Sequence, residues 1–317
     1  MNEAKLNSMK KIIIGILTLM LFTSIEGQQD AMFTHYAFNT LAVNPAYAGT
    51  RDALTVTTLH RSQWVGFEGA PNTQTLTLHT PIHNDKLGMG LSIMNDKIGP
   101  INTMSLYGDF AYKIKINEKG KLALGLKGGI NLMQGELNTL NLDEQNDASF
   151  TNNIESKILP NFGFGAYYYT AKWYVGLSTP KLLENNFSTN TTTGSSGLNG
   201  EQRHFYVIGG TVLAISQNLK FKPSTFIKVT KAAPIEADLT GMFIYKDLFE
   251  AGVMLRTGDA VGALFGYNIN NQFRVGYSYD WSFTNKTFKY NGGSHELMIR
   301  YDFIYKDKAR IRSPRYF

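Results

Sequence analysis

The side chains able to do covalent or metal chemistry are few and scattered. There is no cysteine, so the chain has no thiolate nucleophile, no thiolate metal site and no disulfide framework. The six histidines are His35, His60, His79, His83, His204 and His295. His79 and His83 have the spacing of a helical zinc pair, but Pro81 between them prevents the helix that would put both imidazoles on one face. A nucleophilic triad needs partners in space that no local motif announces. Gly163-Phe164-Gly165 sits in a strand pattern with no helix after it, so it is not a phosphate cradle, and there is no Walker sequence. Asp143, Glu144, Asn146 and Asp147 could offer oxygen ligands to Ca²⁺, yet they read more simply as a solvated loop. No catalytic residue, metal or cofactor is assigned, and the chain reads as non-enzymatic.

What remains is charge placed at regular intervals, and the regularity points to strands. In 273–283, Phe273, Val275, Tyr277, Tyr279, Trp281 and Phe283 share one face, while Arg274, Gly276, Ser278, Asp280 and Ser282 share the other. Period two is the side-chain geometry of a strand with two different environments. Segments 296–305 and 249–256 repeat it. The composition agrees: 20 Phe, 17 Tyr and 30 Gly in 317 residues, 18% charged, with a formal charge of +6, favour strands over helices and exclude a wholly disordered chain.

Fourteen such segments are predicted, at 53–64, 73–80, 87–94, 102–115, 121–136, 159–169, 173–179, 203–215, 219–229, 235–245, 249–256, 261–267, 273–283 and 295–305. With a periplasmic N-terminus, the connections on that side are 81–86, 116–120, 170–172, 216–218, 246–248 and 268–272. All are short, whereas 137–158 and 180–202, the longest, both fall on the opposite side. An even strand count with short periplasmic turns and long outer loops is the topology of an outer-membrane barrel. Residues 1–27 read as a signal peptide, with basic Lys10 and Lys11, an apolar run from Ile12 to Phe22, and cleavage expected at Gly27/Gln28. That run is too short to span a bilayer, and no run of eighteen apolar residues occurs elsewhere.

A soluble sandwich would show the same alternation. Export, strands of ten residues or more, and aromatics near strand ends (Tyr107, Tyr112, Tyr167, Tyr169, Trp173, Tyr245, Tyr267, Trp281 and Tyr305) favour the membrane. The polar face then lines the lumen with Asp109, Lys113, Lys127, Lys220, Lys222, Glu236, Asp238, Glu250, Arg256, Arg274, Asp280, Glu296, Arg300 and Asp302. Mixed signs suit a lumen crossed by ion pairs better than a wide pore. The expected organisation is a signal peptide at 1–27, a lumen plug or hatch at 28–52, an antiparallel all-β barrel at 53–305 and a basic periplasmic tail at 306–317.

Several blocks carry a resemblance. Gln29-Asp30-Ala31-Met32-Phe33-Thr34-His35-Tyr36 and Asn44-Pro45-Ala46-Tyr47-Ala48-Gly49 are followed by Arg61-Ser62-Gln63-Trp64-Val65-Gly66-Phe67-Glu68-Gly69-Ala70-Pro71. Leu78-His79-Thr80-Pro81, Gly88-Met89-Gly90-Leu91-Ser92, Asp96-Lys97-Ile98-Gly99-Pro100 and the terminal Ser313-Pro314-Arg315-Tyr316-Phe317 complete the set. The chain resembles the PorP/SprF proteins of the type IX secretion and gliding systems of Bacteroidetes. Ala31 stands where a proline is common there, and His35 where a glutamine is common. The resemblance implies an integral outer-membrane barrel that supports export or surface attachment of a co-encoded adhesin or other large cargo, through the cargo's C-terminal domain. A periplasmic component of the secretion machinery and membrane lipid are the other implied partners; nucleic acid is not one.

Each candidate site has a plainer alternative. Phe33, Tyr36, Asn44, Pro45 and Ala46 are expected to fold into the lumen, much as a similar Asn-Pro-Ala segment looks in fatty-acid transporter barrels; alternatively Asn44-Pro45 is only a turn. Arg61, Gln63 and Trp64 form an outer rim that could anchor cargo, or else an interface aromatic beside a hairpin turn. Leu182, Leu183 and Phe187 are the apolar candidates in the polar loop 180–202, either contacting cargo or pinning the loop to the rim. Arg310, Arg312, Arg315 and the terminal Phe317 either dock a periplasmic partner or signal barrel assembly, Pro314 disfavouring a ladder strand there. A second functional class stays open: a transporter of a hydrophobic solute gated by the N-terminal segment.

Overall fold

The alternating segments fold as strands because each must satisfy its backbone while presenting apolar side chains to one side and polar ones to the other. In lipid only a closed sheet does both. The computed structural model describes residues 32–82, 85–139, 153–185, 200–231, 233–283 and 292–304. Its strands are β1 (Leu54–Ser62), β2 (Asn72–Ile82), β3 (Leu87–Ile98), β4 (Ile101–Lys115), β5 (Gly120–Gly135), β6 (Ile154–Thr170), β7 (Trp173–Thr179) and β8 (His204–Thr211). There follow β9 (Leu213–Ala214), β10 (Leu219–Thr230), β11 (Ala233–Tyr245), β12 (Phe249–Arg256), β13 (Ala260–Asn268), β14 (Phe273–Ser282) and β15 (Ser294–Phe303).

β8 and β9 both pair with β10 and are parts of one wall strand interrupted at Val212, so the wall has fourteen strands. Every pairing is antiparallel between sequence neighbours, and β1 pairs with β15 from Leu54↔Phe303 to Ser62↔His295, which closes the barrel. Closure removes the sheet edges. One end carries only the short turns 83–86, 116–119, 171–172, 215–218, 246–248 and 269–272; by the rule for such barrels this is the periplasmic end.

Outward positions are apolar and exposed, among them Leu126, Phe164, Leu177, Val253, Phe265 and Leu297, as a lipid-facing band requires. Inward positions are polar and buried. Twelve of the fourteen charged residues expected there are buried; Lys220 and Glu236 are partly so. The aromatic girdle needs a correction. Tyr112, Trp173, Tyr245, Tyr267 and Trp281 are exposed on the outer face, but Tyr107, Tyr167 and Tyr169 are buried inside. Tyr107 shares strand parity with Asp109 and Lys113, so nearness to a strand end could not put it outside.

The sixth strand begins at Ile154, five residues before the expected start, and shortens the outer loop 137–158. Its polar stretch Glu155-Ser156-Lys157 hid the alternation. Ile154 and Leu159 turn inward onto Met133 and Leu137, with a register shift between Met133 and Gly135 where the two strands meet. Residues 1–27, Phe187, Tyr305, His83, the acidic cluster Asp143 to Asp147 and the tail with Arg310, Arg312, Arg315 and Phe317 lie outside the described residues.

Candidate functional site

The barrel interior is occupied by the chain's own N-terminal segment. Residues 33–51 are buried almost throughout, and their partners lie on strands all round the wall. The segment contains one turn of helix, α1 (Thr40–Val43), and a 3₁₀ turn at Pro45–Tyr47. Its first residues sit near the outer end of the lumen and its last near the periplasmic end, where β1 begins.

At the outer end a carboxylate cluster holds the segment. The backbone N–H groups of Thr34 and His35 donate to Glu296 at 2.9 and 2.7 Å, and His35 Nδ1 lies 2.7 Å from the same carboxylate. Arg61 Nη1 donates to Thr34 Oγ1 at 2.9 Å and pairs with Asp280 at 2.8 Å and Glu296 at 3.1 Å. Thr34 Oγ1 in turn donates to Asp280. Three strands, β1, β14 and β15, therefore grip two consecutive residues through charge-assisted hydrogen bonds.

Deeper in, Phe38 packs on the inward side chains Met242, Met254, Leu264 and Met298. Lys222 Nζ lies 4.6 Å and Arg274 Cζ 3.8 Å from its ring centroid. The cations face the negative π-surface of the ring, and Arg274 also pairs with Glu250 at 2.5 Å. Across the lumen Tyr36 packs on Phe226, which stacks on Tyr206. Burial lifts the Tyr36 phenol to about 12, so it stays neutral and donates to Ser224 Oγ at 3.4 Å.

Asn44-Pro45-Ala46 is both a turn and a lumen element. Asn44 caps the 3₁₀ turn, its Oδ1 accepting from Ala46 N at 3.0 Å. Its Nδ2 donates to the backbone carbonyls of Ala166 at 3.1 Å and Leu177 at 3.4 Å, tying the turn to β6 and β7. The wall is stripped of side chains where the turn lies against it. A Cβ on Gly125 would come within 2.2 Å of Ala46 N, on Gly165 within 2.2 Å of Asn44 Oδ1, and on Gly88 within 2.0 Å of Ala48 O. In Gly163-Phe164-Gly165, Gly165 thus makes room for the Asn44 and Pro45 side chains, and Gly163 for the backbone of Thr179 and Pro180. Gly88, Gly125 and Gly165 were legible only as strand glycines, because what approaches them lies between 40 and 121 residues away in sequence.

At the periplasmic end Gly49, at φ +69°, donates to His79 Nδ1 at 3.1 Å and accepts from Lys113 Nζ at 2.6 Å. Arg51 Nη2 pairs with Asp302 at 3.1 Å, and Thr55 Oγ1 donates to the same carboxylate at 2.7 Å. Burial, the largest single influence, would lower the Arg51 pKa, but Asp302 and Tyr47 together outweigh it and raise the value, keeping the guanidinium charged. Further ion pairs brace the wall: Lys127 with Asp109 at 2.8 Å, Lys228 with Glu236 at 3.2 Å and Arg256 with Asp238 at 2.9 Å.

Arg61 requires a correction as a rim contact. Its side chain is 1% exposed and its Nη1 is engaged inside with Thr34, Asp280 and Glu296, because it shares the inward parity of Thr55, Thr57 and Leu59 in β1; that parity, and the even-numbered face of Lys222 carried on to Lys228, could have identified Arg61 and Lys228 as lumen residues. Gln63 and Trp64 remain at the rim. Gln63 N donates to Pro71 O at 2.9 Å, Trp64 has φ +45°, and Val65 continues the ladder to Gly293 at 2.9 Å. Beyond them Val65 and Phe67 are exposed.

The ends of the loop 180–202 fold onto the lumen face of β5 and β6. Asn161 Oδ1 accepts from Leu182 N and Leu183 N, each at 2.9 Å, and Asn161 Nδ2 donates to Leu183 O at 2.9 Å. Glu201 accepts from Asn185 at 2.7 Å and Asn161 at 3.1 Å, and from Asn131. Leu182 is half-buried and Leu183 is exposed.

Among the described residues no group of three or more His, Asp or Glu is arranged to hold a metal ion.

Solved outer-membrane barrels share this architecture. The monoaromatic hydrocarbon channel CymD aligns with a TM-score of 0.52 at 12% identity, over 84% of this chain and 93% of its own. Omp33 of Acinetobacter baumannii has a TM-score of 0.46 at 10% identity, over 80% of this chain and all of its own. A Pseudomonas aeruginosa FadL homologue has 0.44 at 14%, over 89% and 96%. No curated protein matches in sequence. The family model described as type IX secretion system membrane protein PorP/SprF matches residues 25–301. The chain belongs to the PorP/SprF family of type IX secretion membrane proteins and is an integral β-barrel of the outer membrane.

Proposed function

We propose that this barrel is a closed, non-enzymatic frame in type IX secretion that supports export or surface attachment of a co-encoded adhesin or similar large cargo. The observation that carries the reading is the filled lumen. Both ends of the N-terminal segment are held by buried charge, at Thr34-His35 and at Arg51, and its middle lies against a wall kept bare by glycine. A plug held in this way suits a scaffold whose partners bind at its ends better than a conduit. Cargo, through its C-terminal domain, is assigned to the outer rim at Gln63 and Trp64 and to the loop carrying Leu182, Leu183 and Phe187. The secretion machinery is assigned to the periplasmic end with Arg310, Arg312, Arg315 and Phe317.

Deleting 186–199, which spares the Asn185–Glu201 bond, should lower surface display of the cargo with the amount of inserted barrel unchanged. Unchanged display would remove this loop from the cargo site. Replacing Arg310, Arg312 and Arg315 by Gln should weaken recovery of the periplasmic component while insertion stays normal; loss of insertion alone would make the tail an assembly signal.

One observation favours passage of a hydrophobic solute. A small cavity of about 60 Å³ lies between Phe33, Val43, Ile93 and Met94 in the upper lumen, and CymD, of like fold, is a hydrocarbon channel. Lys127 and Ser92 in the same lining, and the charge pairs around it, weigh against that reading. Uptake of a labelled aromatic hydrocarbon into liposomes holding the barrel would support it.

A further inference from the structure

A second pocket, of about 690 Å³, opens at the periplasmic end on the side of β4 to β7. Its walls carry Lys115, Lys119, Lys121 and Lys172 against Asp52 and Glu118, with Trp173 at its margin. Among the described residues none of the four ammonium groups has an ion-pair or hydrogen-bond partner. Lys113, bound to Gly49 O at 2.6 Å, adds a fifth positive charge behind them. The ladder that stabilises the barrel does not need this concentration, since cations gathered in one pocket in excess over its two carboxylates repel one another until a further anion arrives.

Strand parity narrows the occupant. Lys115 and Lys121 have the inward parity of Lys113 and Ala123, so their charges face the mouth of the lumen rather than the lipid around the wall. The chain's own tail is excluded by sign, because Lys306, Lys308, Arg310, Arg312 and Arg315 face only Asp307. We infer that this vestibule is a docking site for an acidic peptide segment of a periplasmic protein. Thr50 and Asp52, at the foot of the lumen segment, form part of its wall, so the bound peptide touches the lower anchor of the plug. The inference rests on the secretion-frame reading only for the source of that peptide.

The test uses the full chain in detergent, a short polyglutamate peptide as probe, and a carbodiimide, which couples a carboxylate to a lysine it contacts. Mapping should find the peptide on Lys115, Lys119, Lys121 or Lys172, with coupling that falls steeply as salt rises. Replacing those four lysines by Gln should cut coupling about tenfold while the folded barrel keeps its gel mobility. Peptide found mainly on Lys306 and Lys308, or equally on Lys97 and Lys157 at the other end, would overturn the site. So would coupling that ignores salt, a measurement that needs no variant, or coupling abolished by phosphatidylglycerol, which would assign the lysines to lipid headgroups. Cargo display is not read here. A failed display experiment therefore leaves this result standing, and failed coupling leaves the secretion reading standing.

Discussion

Arg61 and Glu296 are register partners on β1 and β15, the strands that close the barrel, and their side chains meet inside it at 3.1 Å. Through Thr34 the same two residues hold the N-terminal segment. Closure of the wall and seating of the segment therefore share one charge cluster. A buried pair is weak evidence for stability in itself, but removing one partner leaves the other charge buried and unpaired.

Arg61→Met should accordingly destabilise the barrel by about 3–5 kcal/mol, read by urea titration in lipid vesicles. A change within about 0.5 kcal/mol would mean that Asp280 and Glu296 find other partners and that the cluster does not hold the seam.

The two faces of β14 should respond differently. Val275→Arg, on the lipid side near mid-membrane, should cost about 2–4 kcal/mol. Ser278→Ala removes a buried hydroxyl that has no hydrogen-bond partner among the described residues and should cost less than about 1 kcal/mol. Equal losses in the same refolding assay would contradict the face assignment.

The path of the segment makes a topological prediction. Met32 Sδ accepts from Lys228 Nζ at 3.0 Å near the outer end of the lumen, whereas Lys119 lies in a periplasmic turn. With no native cysteine to interfere, Met32→Cys should react with a membrane-impermeant maleimide on intact cells. Lys119→Cys should react only after the outer membrane is opened. The reverse order would invert the direction in which the segment threads the barrel.

If the segment closes the lumen, the intact protein should show little steady conductance in planar bilayers. Gly125→Val should raise it, because even the first added carbon would sit 2.2 Å from Ala46 N and must push the turn off the wall. Deleting 28–50 should raise it further. A large, stable pore in the parent protein would defeat the plug reading.

Which residues form strands and which side each faces was legible in the sequence, because in a barrel both depend on period two and on the contrast between lipid and a polar interior. The fourteen segments, the inward charges and the two-ended loop pattern follow from that rule. Parity applied consistently would also have put Tyr107, Tyr167 and Arg61 inside. Partnership across the lumen is different in kind. Thr34 with Glu296, Phe38 between Lys222 and Arg274, and Asn44 against Gly165 join residues separated by more than a hundred positions, through contacts that exist only once the sheet has closed. A glycine in a strand does not announce what will lie against it, and four lysines spread over two turns and two strand ends do not announce a common pocket. Local geometry made the wall readable, whereas the lumen contents and the vestibule were decided by the curvature and register that closure imposes.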